Sequence, residues 1–159
     1  MRRTDREITD PAEILRIIGQ AKILHLGLLD GDYPYIVPLH FGYEYADGKL
    51  FFYVHCAKEG HKLDLIRQDP CVCAETECEP ELISGGDDPC AYGAYYASFI
   101  GKGFAEIVTD SAEKRKGLAL LMQHQTGRDF AFSEERVSAV AVVKITLTEF
   151  TAKARKREN

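Results

Sequence analysis

The run HCAKEGHK at residues 55–62 is the densest group of chemically capable side chains in the sequence. It lies where a strand pattern ends and a helix pattern begins, and the free N–H groups and dipole of a helix N-terminus attract anions. Lys58 and Lys62 are four residues apart and would therefore share one face of that helix. The run predicts a phosphate site, with a solvated basic helix start as the alternative. The side chains concerned are His55, Lys58, His61 and Lys62.

Two further segments have features of a ligand site. A proline inside the strand pattern at residues 38–41 (PLHF) leaves nearby backbone groups without ladder partners, so that they could bind the polar edge of a flat ligand. In residues 98–103 (SFIGKG), two glycines permit a close backbone approach. The alternatives are a bulged edge strand for the first segment and a barrel corner for the second. The candidate residues are Pro38, Leu39, His40, Phe41, Ser98, Phe99 and Ile100.

The five cysteines do not form a zinc-binding pattern. Cys71 and Cys73 are separated by one residue, which places both on one face of a strand, whereas zinc ligands usually come in pairs with two to four residues between them. No second Cys/His pair follows with matching spacing. We therefore predict no metal site, interpret both cysteines as small buried side chains, and interpret His25 as a core histidine. Dinucleotide-binding, P-loop and nucleophile-elbow motifs are also missing from the sequence.

Composition predicts a single domain over residues 1–159. Hydrophobic residues make up 45% of the chain, enough for one core, and charged residues make up 28%. A net charge of −5 does not suit a nucleic-acid partner, and no apolar run approaches the roughly 20 residues of a membrane helix. No signal peptide is visible and the cysteine count is odd, so the expected location is the cytoplasm. Residues 153–159 are expected to form a frayed basic tail.

The elements that must position these side chains are mainly strands. Asp10, Pro11 and Glu13 match the cap and first turn of a helix, and Asp-Gly pairs at residues 30–31 and 47–48 indicate hairpins. We predict a mainly β (α+β) fold in which an antiparallel sheet closes into a barrel, flanked by two to three helices. Strand patterns cover about 21–29, 33–43, 49–56, 71–77, 94–108 and 137–148, and helix patterns cover about 11–18, 58–68 and 110–122.

The order of the motifs resembles the nitroimidazole-resistance (Nim-type) branch of the pyridoxamine 5'-phosphate oxidase-like FMN-binding split-barrel superfamily. The resemblance covers nearly the whole chain, and the block at residues 55–64 is its most specific part. The segments that carry it are MRR and DREI within 1–8, GDYPYIVPL at 31–39, HCAKEGHKLD at 55–64, YASFIGKG at 96–103, AVAVV at 139–143 and LTEFTAK at 147–153.

The resemblance implies an antiparallel six-stranded split β-barrel that forms a homodimer, with FMN held at the subunit interface. It implies that the FMN phosphate lies at the strand-to-helix block, and that the isoalloxazine ring lies against the backbone of residues 38–41 near residues 98–100. Cys56 stands where the family often has serine, and His61 is the implied catalytic residue. The implied cofactor-binding residues are Pro38, Leu39, His40, Phe41, His55, Cys56, Ala57, Lys58, His61, Lys62, Ser98, Phe99 and Ile100.

The function that the resemblance implies is an FMN-dependent oxidoreductase acting on a small aromatic or nitro-containing substrate. NADH or NADPH is the candidate electron donor. The alternatives are a non-catalytic flavin-binding or redox-sensing module and a pyridoxamine-phosphate oxidase. The last of these is disfavoured because no residues for a substrate phosphate can be matched in the sequence.

Overall fold

The computed structural model describes residues 3–156, which form one antiparallel sheet with helices packed against it. Met1, Arg2 and residues 157–159, which include the tail residue Arg157, lie outside the described range. The strands are β1 (Glu7–Ile8), β2 (Ile23–Asp30), β3 (Tyr33–His40), β4 (Gly42–Ala46), β5 (Lys49–Cys56), β6 (Cys71–Ile83), β7 (Gly93–Ile107) and β8 (Ala141–Arg155). The α-helices are α1 (Pro11–Gln20), α2 (His61–Gln68), α3 (Ser111–Thr126) and α4 (Glu134–Ser138).

The order of the strands forces the sheet to curl. Hydrogen-bonded neighbours run β3-β2-β6-β7-β8-β5-β4, and β1 adds to β8. The two edge strands, β3 and β4, are joined in the chain by Phe41 alone. Because consecutive Cα atoms are only about 3.8 Å apart, the two edges must meet at this residue. The result is an α+β split barrel that no hydrogen-bond ladder closes within residues 3–156.

The predicted α+β class and antiparallel sheet are confirmed, but the strand count is eight rather than six and four α-helices are present in the described chain. The pattern at residues 33–43 reads as one strand and is in fact two. The break falls at Phe41, whose side chain is fully buried in the core. The two-residue β1 is too short to give a periodic signal.

The core lies inside the curled sheet and is closed by helices. Asp10 caps α1 by accepting a hydrogen bond from the backbone N–H of Ala12 at 3.2 Å, as the sequence predicts. The apolar side of α1 and the apolar side of α2 both pack on inward-facing strand residues. The largest members of this core are Phe41, Phe52, Phe99, Ile17, Ile18, Leu24, Leu26, Leu50, Leu63 and Ile145. None of the helices in residues 3–156 has both the length and the apolar composition needed to cross a membrane.

The predicted frayed tail is wrong for residues 153–155, which belong to β8. Lys153 lies opposite Ser98 on β7 and opposite Glu7 on β1, so both sides of the strand are paired there. The inward-facing Ala152 and Ala154 are buried. The alternation of burial along β8 therefore continues through the basic residues, which occupy its outward positions.

The interpretation of Cys71, Cys73 and His25 as buried side chains is also wrong. Both cysteines lie on the same face of β6, as their spacing predicts, but this is the exposed outer face of the sheet. The intervening positions, which include Val72, point into the core. His25 lies on the outer face of β2, where it is opposite Glu75 in the ladder between β2 and β6.

Candidate functional site

The strand-to-helix junction predicted at residues 55–62 is confirmed, with one correction. Strand β5 ends at Cys56 and α2 begins at His61, so Lys58 lies in an exposed loop and not on the helix. The reason is Gly60, whose φ of 141° is incompatible with a continuous helix and strained for any residue with a side chain. Lys58 and Lys62 therefore do not share a helical face.

The start of α2 retains free hydrogen-bond donors. Gly60 is the N-cap residue and has no side chain with which to cap the helix, while its carbonyl oxygen accepts from Leu63 and Asp64. The N–H groups of His61 and Lys62 precede the first intrahelical bond and have no helical acceptor. This end of the helix can therefore receive an anionic group with two backbone donors and the positive end of the dipole.

Three basic side chains from different elements surround this junction. The pKa of His55 at the end of β5 lies below its ordinary value, first because partial burial disfavours the imidazolium, and then because Lys62 on α2 and His40 on β3 are close. His40 is itself oriented by Gln125, whose Oε1 lies 3.0 Å from Nδ1. Lys62 and His40 thus both disfavour the imidazolium of His55, and an anion bound beside it would favour that form.

His61 is directed towards the turn between β2 and β3. Its Nε2 lies 2.7 Å from Oδ2 of Asp30, and its ring meets the ring of Tyr35 edge-on at 5.1 Å between centroids. Both partners of the ion pair are about half exposed. Sequence reasoning missed Asp30 as a site residue because its only signal, an Asp-Gly pair, indicates a turn.

The side chains of residues 38–41 do not all lie on the same side of the sheet. Pro38 and His40 face outward, Leu39 is half-buried, and the side chain of Phe41 lies in the core. The carbonyl oxygen of Phe41 accepts hydrogen bonds from His124 at 2.8 Å and from Gln125 at 2.9 Å. Because β3 is an edge strand, the backbone groups on its free side have no ladder partner and remain available to a ligand.

The segment at residues 98–100 reaches the same outer face. Ser98 and Ile100 point outward from β7, whereas Phe99 packs in the core beside Phe52 and Phe150. Pairing places Pro38, His25, Glu75 and Ile100 in one row across β3, β2, β6 and β7. Three strand spacings amount to about 14 Å, so the two predicted segments share a face without touching.

The outer face carries a large apolar groove that sequence reasoning missed. It has a volume of about 750 Å³. Leu29, Ile36 and Phe104 within it are 56%, 62% and 53% exposed. We call it the outer groove, and its lining includes His25, Gly27, Leu29, Pro34, Ile36, Cys71, Cys73, Glu75, Lys102 and Phe104. The lining residues come from five strands, β2, β3, β6, β7 and β8, so the groove becomes visible only once the register between strands is known.

Comparison with known proteins agrees with this class of fold. A family model described as pyridoxamine 5'-phosphate oxidase matches residues 10–154. The chain therefore belongs to the pyridoxamine 5'-phosphate oxidase family, and the predicted family resemblance is confirmed. No curated protein matches the chain.

Solved structures extend the comparison. A putative 5-nitroimidazole antibiotic resistance protein from Bacteroides thetaiotaomicron is 31% identical, with a TM-score of 0.79 over 93% of this chain and 86% of that one. The flavocytochrome Anf3 from Azotobacter vinelandii is 18% identical, with a TM-score of 0.78 over 99% of this chain and 72% of its own. An FAD-binding protein from Mesorhizobium loti is 17% identical, with a TM-score of 0.65 over 95% and 98%. The last two show similarity of fold alone.

Proposed function

We propose that this protein binds FMN, with the phosphate at the start of α2. The observation that carries the proposal is a helix start without a side-chain cap, preceded by His55 at the end of β5 and followed by Lys62 in its first turn. A dianionic phosphate matches both the positive charge and the hydrogen-bond donors of this junction. The donor set therefore fits the group, and Lys58 in the adjoining loop can add a further contact. Cys56 and Ala57 supply the backbone that leads into the junction.

The flavin ring would lie along the free edge of β3. The unpaired backbone groups on either side of Pro38 and Leu39 suit the polar edge of a flat heterocycle, and proline keeps one position free of a competing donor. The outward-facing Ser98 and Ile100 lie further across the same face of the sheet. Both assignments follow from the family resemblance and agree with where the strands place these residues.

A second copy of the chain is proposed to cover part of this face. Leu29, Ile36 and Phe104 form a contiguous exposed apolar surface of a kind that soluble proteins rarely leave open. A two-fold contact between identical faces would bury this surface and create two equivalent clefts. The proposed assembly is a homodimer with one flavin site at each end of the interface.

The proposed activity is the reduction of a small aromatic or nitro-containing substrate, with NADH or NADPH as the electron donor. The bound flavin would supply the redox chemistry, while the chain binds, orients and shields it. His61, whose Nε2 lies 2.7 Å from Oδ2 of Asp30, is the proposed catalytic residue. The 31% identity with the Bacteroides protein supports this activity over a pyridoxamine-phosphate oxidase.

Flavin titration of the purified, flavin-free protein tests the binding proposal. We expect FMN to bind at least tenfold more tightly than riboflavin, which lacks the phosphate, and one FMN to bind per chain. Sedimentation should give a dimer. Equal affinity for the two flavins would contradict the phosphate site, and failure of either flavin to bind would overturn the proposed function.

Turnover separates the proposed activities. We expect NADH or NADPH to bleach the flavin band and a 5-nitroimidazole to restore it under anaerobic conditions. Bleaching of the flavin band by pyridoxamine 5'-phosphate without a nicotinamide, followed by recovery with oxygen, would favour the oxidase. A flavin that neither nicotinamide reduces would indicate a binding or sensing module.

A further inference from the structure

Three possible metal ligands converge on the outer face of the sheet at the rim of the outer groove. His25 on β2 is opposite Glu75 on β6, and Glu77 lies two residues further along β6 on the same face. Their donor atoms all lie within 4.8 Å of one another. Nδ1 of His25 is 3.1 Å from Oε2 of Glu75 and 3.6 Å from Oε2 of Glu77.

These separations match a tetrahedral coordination shell. Zinc binds imidazole nitrogen and carboxylate oxygen at about 2.0–2.2 Å, so adjacent ligand atoms around a tetrahedral ion lie about 3.3–3.6 Å apart. The distance from His25 to Glu75 is just below this range, and the distance from His25 to Glu77 is at its upper limit. Because all three residues project from paired strands, the backbone is already ordered before an ion arrives.

The charges of the cluster also favour a cation. Within residues 3–156, neither carboxylate forms an ion pair with a lysine or arginine, and His25 is the basic partner of both. Two carboxylates that share one imidazole leave an excess of negative charge that a divalent ion would neutralise.

We propose that His25, Glu75 and Glu77 form a binding site for a divalent transition-metal ion, with Zn²⁺ as the best match. One imidazole and two carboxylates suit Zn²⁺ better than Mg²⁺ or Ca²⁺, which prefer sets made of oxygen alone. Three protein ligands leave a fourth position open to water or to another ligand. The site shares the outer face of the sheet with the proposed flavin ring and dimer contact, but its ligands are distinct from the residues at the start of α2.

Calorimetric titration of Zn²⁺ into the chelator-treated protein tests the site. We expect one Zn²⁺ per chain and at least a tenfold weaker affinity in the variants His25→Gln and Glu77→Gln. Glu149→Gln is the matched control, because Glu149 is an exposed carboxylate lining the same groove and lies outside the cluster. Its affinity for Zn²⁺ should equal that of the wild type.

The exposed thiols of Cys71 and Cys73 are the competing zinc ligands on this face. We therefore expect the double variant Cys71→Ser/Cys73→Ser to retain the wild-type affinity. Zn²⁺ should also raise the thermal midpoint of the wild type and of the double variant, but not of Glu77→Gln. If Glu77→Gln fails to fold, Glu75→Gln provides the same comparison. Loss of binding in the double variant, unchanged binding in both glutamate variants, or no binding by the wild type below millimolar Zn²⁺ would overturn the proposal.

Discussion

Nδ1 of His124 lies 2.8 Å from the carbonyl oxygen of Phe41, the single residue that joins the two edge strands of the barrel. On the other side of the ring, Nε2 lies 3.3 Å from the carbonyl oxygen of Gly19 at the end of α1. The ring also packs edge-on against Phe41 and Tyr43. One histidine thus ties α3 both to the seam of the barrel and to the first helix.

The position of His124 makes the free energy of unfolding depend on pH. Burial lowers the pKa of His124 below its ordinary value, although the carbonyl groups of Phe41 and Gly19 oppose the shift. His124 therefore takes up a proton more readily in the unfolded chain than in the folded one. Neutral His124 contributes fully to the free energy of unfolding above the pKa of the unfolded chain, about 6.5, and this contribution is lost as the pH falls below that value. We expect the free energy of unfolding in urea to decline between pH 7 and pH 5.

The variant His124→Gln should lose this part of the pH dependence. At pH 8 it should be less stable by about 1–3 kcal/mol, because one buried hydrogen bond is lost or left unpaired. His25→Gln is the control, because His25 lies on the outer face of β2 and its removal leaves the seam intact. Identical slopes for His124→Gln and the wild type would show that His124 does not govern the acid response.

Gly42 on β4 lies directly against the backbone of α3. A Cβ atom there would lie within 2.6 Å of the backbone of Leu121, which cannot move aside as a flexible side chain can. We expect Gly42→Ala to lower the free energy of unfolding by about 1–3 kcal/mol or more through overpacking. In Gly27→Ala, the control on β2, the nearest atom would lie 3.4 Å from the new Cβ, so stability should change little. Equal effects of the two substitutions would contradict the close packing of α3.

Thr76 is a fully buried polar side chain inside the barrel. Its hydroxyl donates a hydrogen bond of 2.6 Å to the carbonyl oxygen of Ile23 at the start of β2. Thr76→Val keeps the shape and leaves the carbonyl unpaired, so we expect a loss of about 1–3 kcal/mol in urea unfolding. Thr148→Val, at an exposed position on β8, should be within about 0.5 kcal/mol of the wild type. A neutral Thr76→Val would show that water replaces the lost bond.

Lys62 is the basic residue of α2 nearest to the proposed phosphate. We expect Lys62→Ala to weaken FMN binding by about 1.5–3 kcal/mol, the contribution of a charge-assisted hydrogen bond, and to leave riboflavin binding unchanged. Lys49→Ala is the control, because Lys49 begins β5, seven residues and about 23 Å of strand from the site. Equal losses for FMN and riboflavin would remove Lys62 from the phosphate site.

Local signals in the sequence predicted much of this fold. Asp10 and Asp110 cap their helices as expected, and both predicted hairpins form, although the first turn is Gly31-Asp32, one residue beyond the predicted pair. Strand β6, in contrast, was expected to end near residue 77 and continues to Ile83 after a bulge at residues 78–81. Glu79 has a φ of 58° there, a conformation that no glycine or asparagine signalled.

The candidate site was predictable only in part. The strand-to-helix junction was visible because its residues are adjacent in the chain. The contact between His61 and Asp30 joins residues 31 positions apart. The cluster of His25 with Glu75 depends on the register between β2 and β6, as does the outer groove. No periodicity within a single strand encodes such pairings across the sheet.

The one-residue connection at Phe41 has a mechanical consequence. The pair β2–β3 precedes Phe41 in the chain and the pair β4–β5 follows it, and the carbonyl oxygen of Phe41 accepts hydrogen bonds from His124 and Gln125 of α3. The two free edges of the sheet are therefore fastened at this point by side chains of a helix instead of by a ladder between strands.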